Sequence, residues 1–335
     1  MKVKFGIIGC SSVAKRKTIP AILHSNFASL EMVGSRSLEK AKEWGKSFGC
    51  ASGSYKDVLQ NPSVEAIYIS LPIRLHPEWA LQSIQAGKHV LCEKSATDSF
   101  ARAQVMVQEA KKRSLRLMEA FMFRFHPQHK RILEWKREGL FGEIFSFEGN
   151  YGLQAIERTG FRFDPSLGGG CLNDAGCYIV CASRMIFGSV PEGVMASLKF
   201  DLKTGVDLQG SFYLVYPGHR TAFGGFGYEN CFRSTYHVWG NKASAYLQRA
   251  YALKPNSDSI LHVRFADDRE EITTIPWVDQ SQLMIDEFSQ VIRGEKKESF
   301  SYEEDLLQQS KVMEAIRISA RENRLVSIKE LNLKP

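Results

Sequence analysis

Apolar and polar positions follow two rhythms along the chain. Up to about residue 120, short apolar runs alternate with stretches of helical period: VKFGIIG, a helix from about Val13 to His24, SLEMVGS, a helix from Leu38 to Phe48, AIYISLP, a helix from Pro77 to Ala86, HVLCEK, a helix from Ser99 to Arg113, and LRLMEAF. Strands this apolar are buried on both faces, and strands joined through helices run parallel, so the pattern predicts a doubly wound α/β sheet. After residue 140 the apolar stretches lengthen and alternate, as in GEIFSFEGNYGL, GVDLQGSFYLVYP, RSTYHVWG and ILHVRFADD. That period predicts an α+β region with an open, mostly antiparallel sheet covered on one face. Helical stretches from about Gln280 to Arg293 and from Glu304 to Glu322 close the chain. The change of rhythm divides it into domains 1–120 and 121–335.

A length of 335 residues suits two domains with a core each. No apolar stretch reaches the roughly 18 residues of a membrane span, and MKVKF runs straight into a strand pattern rather than a signal peptide. The expectation is a cytoplasmic protein without a membrane partner. The seven cysteines are odd in number and irregularly spaced, which suits free thiols in a reducing compartment. Cys171, Cys177 and Cys181 lie near one another but have no histidine or further cysteine at a metal-ligand spacing, so no metal is expected. The net charge of +7 comes from scattered basic residues interleaved with acidic ones, a pattern that argues against nucleic acid and fits a phosphate-bearing small ligand.

The turn after the first strand, FGIIGCSSVAKRKTIPAI, has the outline of a dinucleotide-binding fingerprint. Gly9 fills the position of the sharp turn and Ala14 the small-residue position of helix packing, while Ser11 replaces the second glycine. The hydroxyls of Ser11 and Ser12 and the backbone up to Val13 can meet a phosphate at the helix N-terminus, where the dipole favours an anion. At the end of the second strand, where an NAD-preferring protein carries a carboxylate, the chain reads Ser35, Arg36, Ser37, with Lys40 one turn on. A guanidinium and hydroxyls suit a 2'-phosphate, so NADP is expected over NAD, the competing reading being a solvated basic turn. ISLPIRLHPEWA and GKHVLCEKSAT place Leu71, Pro72, His76, Glu93 and Lys94 where parallel strands end, the edge at which open α/β sheets bind ligands.

The opening turn, EKSAT, MEAFMFRFHPQH and GGGCLNDAGCYIV together resemble the Gfo/Idh/MocA oxidoreductase family, and the resemblance runs over nearly the whole chain to VMEAIRISARENRLV. It implies a Rossmann domain that binds NAD(P), a C-terminal domain for substrate binding and oligomerisation, and hydride transfer between a nicotinamide and a sugar, cyclitol or related carbonyl compound. The lysine of the family's E-K-P motif falls on Lys94, with Ser95 in place of proline, and the later motif falls on Gly169, Gly170, Asp174 and Tyr178. Tyr178 stands where inositol dehydrogenases have histidine. This resembles the glucose-fructose oxidoreductase, dihydrodiol dehydrogenase and sugar 3-ketoreductase branches, in which Lys and Tyr are the catalytic pair. Ile73 also replaces the asparagine that often follows the proline of the family's P-N-x-x-H loop.

Reduction of a ketone needs a proton donor beside the oxygen that becomes an alkoxide, and a positive charge to stabilise it. Tyr178 fits the donor and Lys94 the charge, since a nearby ammonium lowers a phenol pKa from about 10 toward working pH. The reverse assignment, Lys94 donating and Tyr178 orienting the substrate, satisfies the sequence equally. Residues 172–187 have helical period, which puts Asp174 and Tyr178 on one face, and Asp174 is the candidate for substrate hydroxyls or, alternatively, a helix cap. Arg124 in RFHPQH is a candidate contact to an anionic part of the substrate or to the cofactor, or a structural ion pair. FGGFGYENCFRSTYHVWGNKASAYLQRAY resembles sugar-modifying members of surface-polysaccharide and antibiotic pathways, which points to reduction of a keto-sugar, with a nucleotide-linked sugar among the candidates. The alternatives are a trans-dihydrodiol or free-sugar dehydrogenase, or a non-catalytic NADP-binding regulator. An exposed apolar face of the second sheet would make the protein a homodimer or homotetramer.

Overall fold

The apolar runs of the first part become strands β1 (Val3–Ile8), β2 (Ala28–Gly34), β4 (Ala66–Ile69), β5 (His89–Cys92) and β6 (Leu117–Glu119), and a short strand β3 (Ala51–Gly53) joins them. The computed structural model describes residues 1–154 and 157–332. In it these strands form one sheet in the order β3-β2-β1-β4-β5-β6, every neighbouring pair parallel. Residues of β4 are buried without exception, as a strand covered by helices on both faces must be. The order reverses direction between β1 and β4, and the carboxyl ends of those strands are where such sheets hold ligands. This sheet belongs to a unit made of Met1–Met122 and Asp279–Ser310.

Its helices are α1 (Ile19–His24), α2 (Leu38–Phe48), α3 (Tyr55–Gln60), α4 (His76–Gln85) and α5 (Phe100–Lys112). Ser37 accepts the Lys40 N–H at the start of α2 and Gly49 closes it in a left-handed conformation, so both ends are written locally. The stretch expected as one helix from Val13 instead opens as a wider π-helical turn, Ala14–Thr18, before α1. Gly9 sits at φ +102°, and a Cβ there would come within 2.4 Å of the Ser70 carbonyl oxygen. Only glycine lets β1 end this close to β4.

The second unit comprises Phe123–Val278 and the residues from Lys311 on. It carries α6 (Pro127–Arg137), α7 (Cys177–Phe187) and strands β7 (Ile144–Gly152), β8 (Gly193–Phe200), β9 (Asp207–Tyr216), β10 (Arg220–Gly227), β11 (Arg233–Gly240), β12 (Ala243–Leu247), β13 (Ser259–Phe265), β14 (Glu270–Ile275) and β15 (Val326–Ser327). They form a nine-stranded sheet, β14-β13-β12-β11-β7-β10-β9-β8-β15, antiparallel except where β10 runs parallel to β7. Helix α7 covers one face, and Gly149 of β7 makes room for Ile179, whose methyl a Cβ would meet at 2.5 Å. On the other face the register places Met195, Tyr213, Phe223, Glu148, His237, Tyr246, His262 and Ile272 in one row across the sheet. Helix α8 (Gln280–Ile292) belongs to the first unit, and α9 (Tyr302–Glu322) contributes to the first unit up to Ser310 and to the second from Lys311. The fold is thus α/β with a doubly wound parallel sheet, followed by an α+β unit with an open mixed sheet.

Candidate active site

In the first unit the ends of β1, β2 and β4 surround a cavity of about 530 Å³ lined by Gly9, Ser11, Ser35, Arg36, Leu71 and Pro72, together with Cys10, Ser37, Lys40, Tyr55 and Ser70. Six residues singled out as cofactor contacts therefore meet in one place. The Ser11 hydroxyl accepts the Ala14 N–H at 3.0 Å and is hydrogen-bonded to the Ser70 hydroxyl, so it closes the turn as a side-chain cap. Ser12 is exposed and Val13 half-buried at the start of the same turn.

At the end of β2, Ser35 is buried, and its hydroxyl accepts the Ser37 N–H at 3.2 Å, while Arg36 is exposed. Tyr55, from α3, also lines the cavity; burial raises the pKa of its phenol, and the charge of Arg36 counters this. A guanidinium, an ammonium from Lys40, and the capped N-terminus of α2 thus face one space with no carboxylate at the strand end. One carboxylate does stand nearby: Glu39 accepts from Ser37 at 2.8 Å on the exposed side of the helix start. The donor set matches a nucleotide with a 2'-phosphate, and the Gly9 turn leaves room for backbone to approach a pyrophosphate.

The remaining first-unit candidates lie beyond that cavity. His76 is 1 % exposed, with Nδ1 at 2.9 Å from the Ser95 carbonyl oxygen and Nε2 at 2.7 Å from that of Leu71. Burial pushes its pKa down to about 4, so the neutral ring donates to one carbonyl at a time, bracing the loop after β4 against the segment after β5. Glu93 is buried and accepts the Tyr68 hydroxyl at 2.5 Å and the Lys94 N–H at 3.3 Å. Lys94 follows β5 half-buried, and its peptide bond to Ser95 is cis.

In the second unit Tyr178 is half-buried at the start of α7, its ring 5.3 Å from Tyr151 and 5.7 Å from both Phe123 and Tyr251. Three aromatic rings fix the direction of its phenol. The turn before it, expected as regular helix, is π-helical from Leu172 to Gly176. Asp174 in that turn accepts Arg162 Nε at 2.7 Å and the Tyr228 hydroxyl at 3.3 Å. Burial, then the Asp174 charge, drives the Tyr228 phenol far above its ordinary range. Arg124 is half-buried and donates to Cys181 Sγ at 3.9 Å. His126 and His129, its neighbours in sequence, are structural: His126 accepts the Gln128 N–H at the start of α6, and His129 joins the Tyr236 hydroxyl to the Ala250 carbonyl, with burial lowering its pKa to about 3.

Sequence reading missed Tyr55, Ser70, Arg162, Tyr228 and Asp207. Asp207, at the start of β9, is buried, accepts the Leu172 N–H at 2.5 Å, and has its pKa raised chiefly by desolvation. It anchors the turn that leads into Tyr178. Gly170, at φ +116°, leaves room for that carboxylate, which a Cβ would strike. This is a physical reason for the last glycine of GGGCLND. The seven cysteines are free, and among the described residues no group of three or more His, Cys, Asp or Glu gathers as metal ligands. No described helix is long and apolar enough to cross a membrane.

Comparison with known proteins bears on both units. Residues 3–121 match the oxidoreductase family with an NAD-binding Rossmann fold, and residues 129–246 match the GFO/IDH/MocA C-terminal domain. The chain is 31% identical over 322 residues, 96% of each partner, to dTDP-3,4-didehydro-2,6-dideoxy-alpha-D-glucose 3-reductase of Actinomadura kijaniata. It is 33% identical to trans-1,2-dihydrobenzene-1,2-diol dehydrogenase of Xenopus tropicalis, over 66% of this chain and 68% of that one. A solved structure of a 3-ketoreductase from Actinomadura kijaniata in complex with NADP and TDP-benzene superposes with a TM-score of 0.89 at 30% identity, covering 95% of this chain and 98% of the other.

Proposed function

The chain belongs to the Gfo/Idh/MocA oxidoreductase family, and we propose that within it the protein uses NADPH to reduce a keto-sugar, one carried on a nucleotide diphosphate. It is an NADP-dependent oxidoreductase acting on sugar carbonyl or hydroxyl groups. The finer reading is supported above all by one observation: a half-buried lysine at the end of β5 and a half-buried tyrosine at the start of α7, in a chain similar along 96% of its length to a sugar 3-reductase.

Bound in the cavity of the first unit, NADPH supplies a hydride. Arg36, Lys40 and the Ser37-capped helix end would hold the 2'-phosphate, the Gly9 turn the pyrophosphate, and Leu71 with Pro72 the nicotinamide side. His76 keeps the Leu71 and Ser95 segments in register, and with them Lys94. Tyr178 donates a proton to the substrate oxygen, and the Lys94 ammonium stabilises the charge that develops there. The aromatic rings around Tyr178 hold its phenol in one orientation, so little reorganisation is needed at the moment of transfer.

Loss of NADPH absorbance on adding keto-sugars, free and nucleotide-linked, tests this reading directly. Reduction is expected to be faster than oxidation of trans-dihydrodiols with NADP. A protein that oxidises the diol and reduces no keto-sugar, or that binds NADPH and turns over neither, overturns it.

The open face of the second sheet supports self-association. Phe223, Trp239 and Ile272 are each at least half exposed there, and Phe145 packs on Trp239 with ring centroids 4.9 Å apart. A row of aromatic and aliphatic side chains with Glu148 and His237 at its middle suits a second copy of the chain, as a dimer or as half of a tetramer. Sedimentation should show a stable oligomer that Phe223→Glu dissociates. Monomeric wild-type protein at micromolar concentration refutes the assembly. The free thiols and the nicotinamide chemistry suit work in the cytoplasm.

A further inference from the structure

We propose that Arg162 recognises an anionic group on the substrate, a phosphate or diphosphate carried by the sugar. The proposal rests on the reading of this protein as a sugar reductase and names the substrate feature that its second unit would select. Arg162 commits Nε to Asp174 at 2.7 Å, and its guanidinium lies 5.1 Å from the Phe161 ring. Its side chain is 41% exposed, and among the described residues neither Nη group donates a hydrogen bond. Arg158, on the same segment, is used differently: Nε and Nη2 go to Glu229 and Nη1 goes to Asp201. One fork is filled by carboxylates, and the other is held on one edge and open on the other.

Position gives the open fork its meaning. Asp174 precedes Tyr178 by four residues, and Tyr151, whose phenol interacts with the Arg162 charge, lies 5.3 Å ring to ring from Tyr178. The guanidinium is therefore fixed beside the turn that carries the proposed proton donor. The Asp174 carboxylate offsets part of its charge, which weakens attraction for an anion at long range. It also fixes the arginine before a ligand arrives, removing a rotamer cost that a free side chain would meet on binding. The two Nη groups then present parallel donors spaced for two oxygens of one phosphate, a geometry that neutral sugar hydroxyls do not require. Tyr228, donating to the same carboxylate at 3.3 Å, keeps Asp174 aimed at the arginine.

The test uses protein saturated with NADP, so that the dinucleotide cavity is filled, and inorganic pyrophosphate as the probe in a calorimetric titration. Pyrophosphate should bind the wild type and bind Arg162→Gln about ten- to a hundredfold more weakly, with Arg162→Lys between them. In parallel, the ratio of kcat/KM for a diphosphate-linked keto-sugar to that for the free keto-sugar should fall in Arg162→Gln by a similar factor. An NADPH titration of each variant reports whether it is folded, and Arg162→Lys keeps the charge should Arg162→Gln fold poorly. Absence of pyrophosphate binding to the wild type, or equal binding to wild type and Arg162→Gln, overturns the proposal and leaves Arg162 as a brace for Asp174. Equal loss of activity on both sugars in Arg162→Gln overturns it as well. If pyrophosphate binds through Arg162 but no keto-sugar is reduced, the anion site stands and the reductase reading falls. If keto-sugars are reduced with the same preference in both proteins, the reverse holds.

Discussion

Tyr178→Phe is expected to lower kcat for keto-sugar reduction by about a hundred- to ten-thousandfold, the range for loss of a positioned proton donor. The ring should stay where it is, because Phe123, Tyr151 and Tyr251 pack ring to ring against it, with centroids 5.3 to 5.7 Å away. Substrate and NADPH binding should therefore change far less than turnover. Lys94→Met removes the charge that stabilises the developing alkoxide and should cost about a hundred- to a thousandfold. The double variant should be little worse than the poorer single one, since two groups acting on one oxygen do not contribute independently.

The pH profile separates the two assignments of the donor. If Tyr178 donates, kcat of the wild type falls at high pH as the phenol deprotonates, and Lys94→Met keeps that limb, moved to higher pH because the ammonium no longer holds the phenol pKa down. If Lys94 donates, the limb persists in Tyr178→Phe and disappears in Lys94→Met. Retention of near-wild-type turnover by both variants would remove the pair from the mechanism.

How much of this was legible beforehand depended on whether the signal was local. The apolar runs of β1, β4 and β5, the glycine turn at Gly9, the Ser-Arg-Ser end of β2 and Lys94 after β5 are each written within a few consecutive residues, so period and spacing carried them. Strand β3 is three residues long, too short to show a period. Helix α6 was hidden by its buried face, which includes Gln128 and His129 beside Ile132 and Trp135 and so reads as polar. Those polar groups tolerate burial because the carbonyls of Arg249 and Ala250 and the Tyr236 hydroxyl satisfy them. Tyr55 meeting Arg36, Arg162 meeting Asp174, and Asp207 capping Leu172 are all tertiary pairings between segments with no shared rhythm. For the same reason the turn at Leu172 read as ordinary helix. Its π-helical widening is a property of backbone packing, with Gly176 pressed against the Phe226 ring, where a Cβ would sit 3.1 Å away.

Arg36→Ala should weaken NADPH binding by about ten- to a hundredfold, the free-energy range of hydrogen bonds between charged partners. NADH affinity should move much less, since NADH presents a hydroxyl where NADPH presents a phosphate. The size of the effect depends on what remains: Lys40 still lines the cavity, and the Ser37 cap still aims the α2 N-terminus into it, so the site keeps part of its preference for an anion. Arg36 and Lys40 changed together should bring the two cofactors to near parity. The loss should also shrink as ionic strength rises, because Arg36 is exposed and its attraction for a phosphate is screened. Nicotinamide fluorescence, titrated with each cofactor at two salt concentrations, measures all of this. A wild-type protein that binds NADH as tightly as NADPH would reduce Ser35, Arg36 and Lys40 to a solvated basic turn, because the two cofactors differ only at the 2'-position and no group elsewhere in the site can tell them apart.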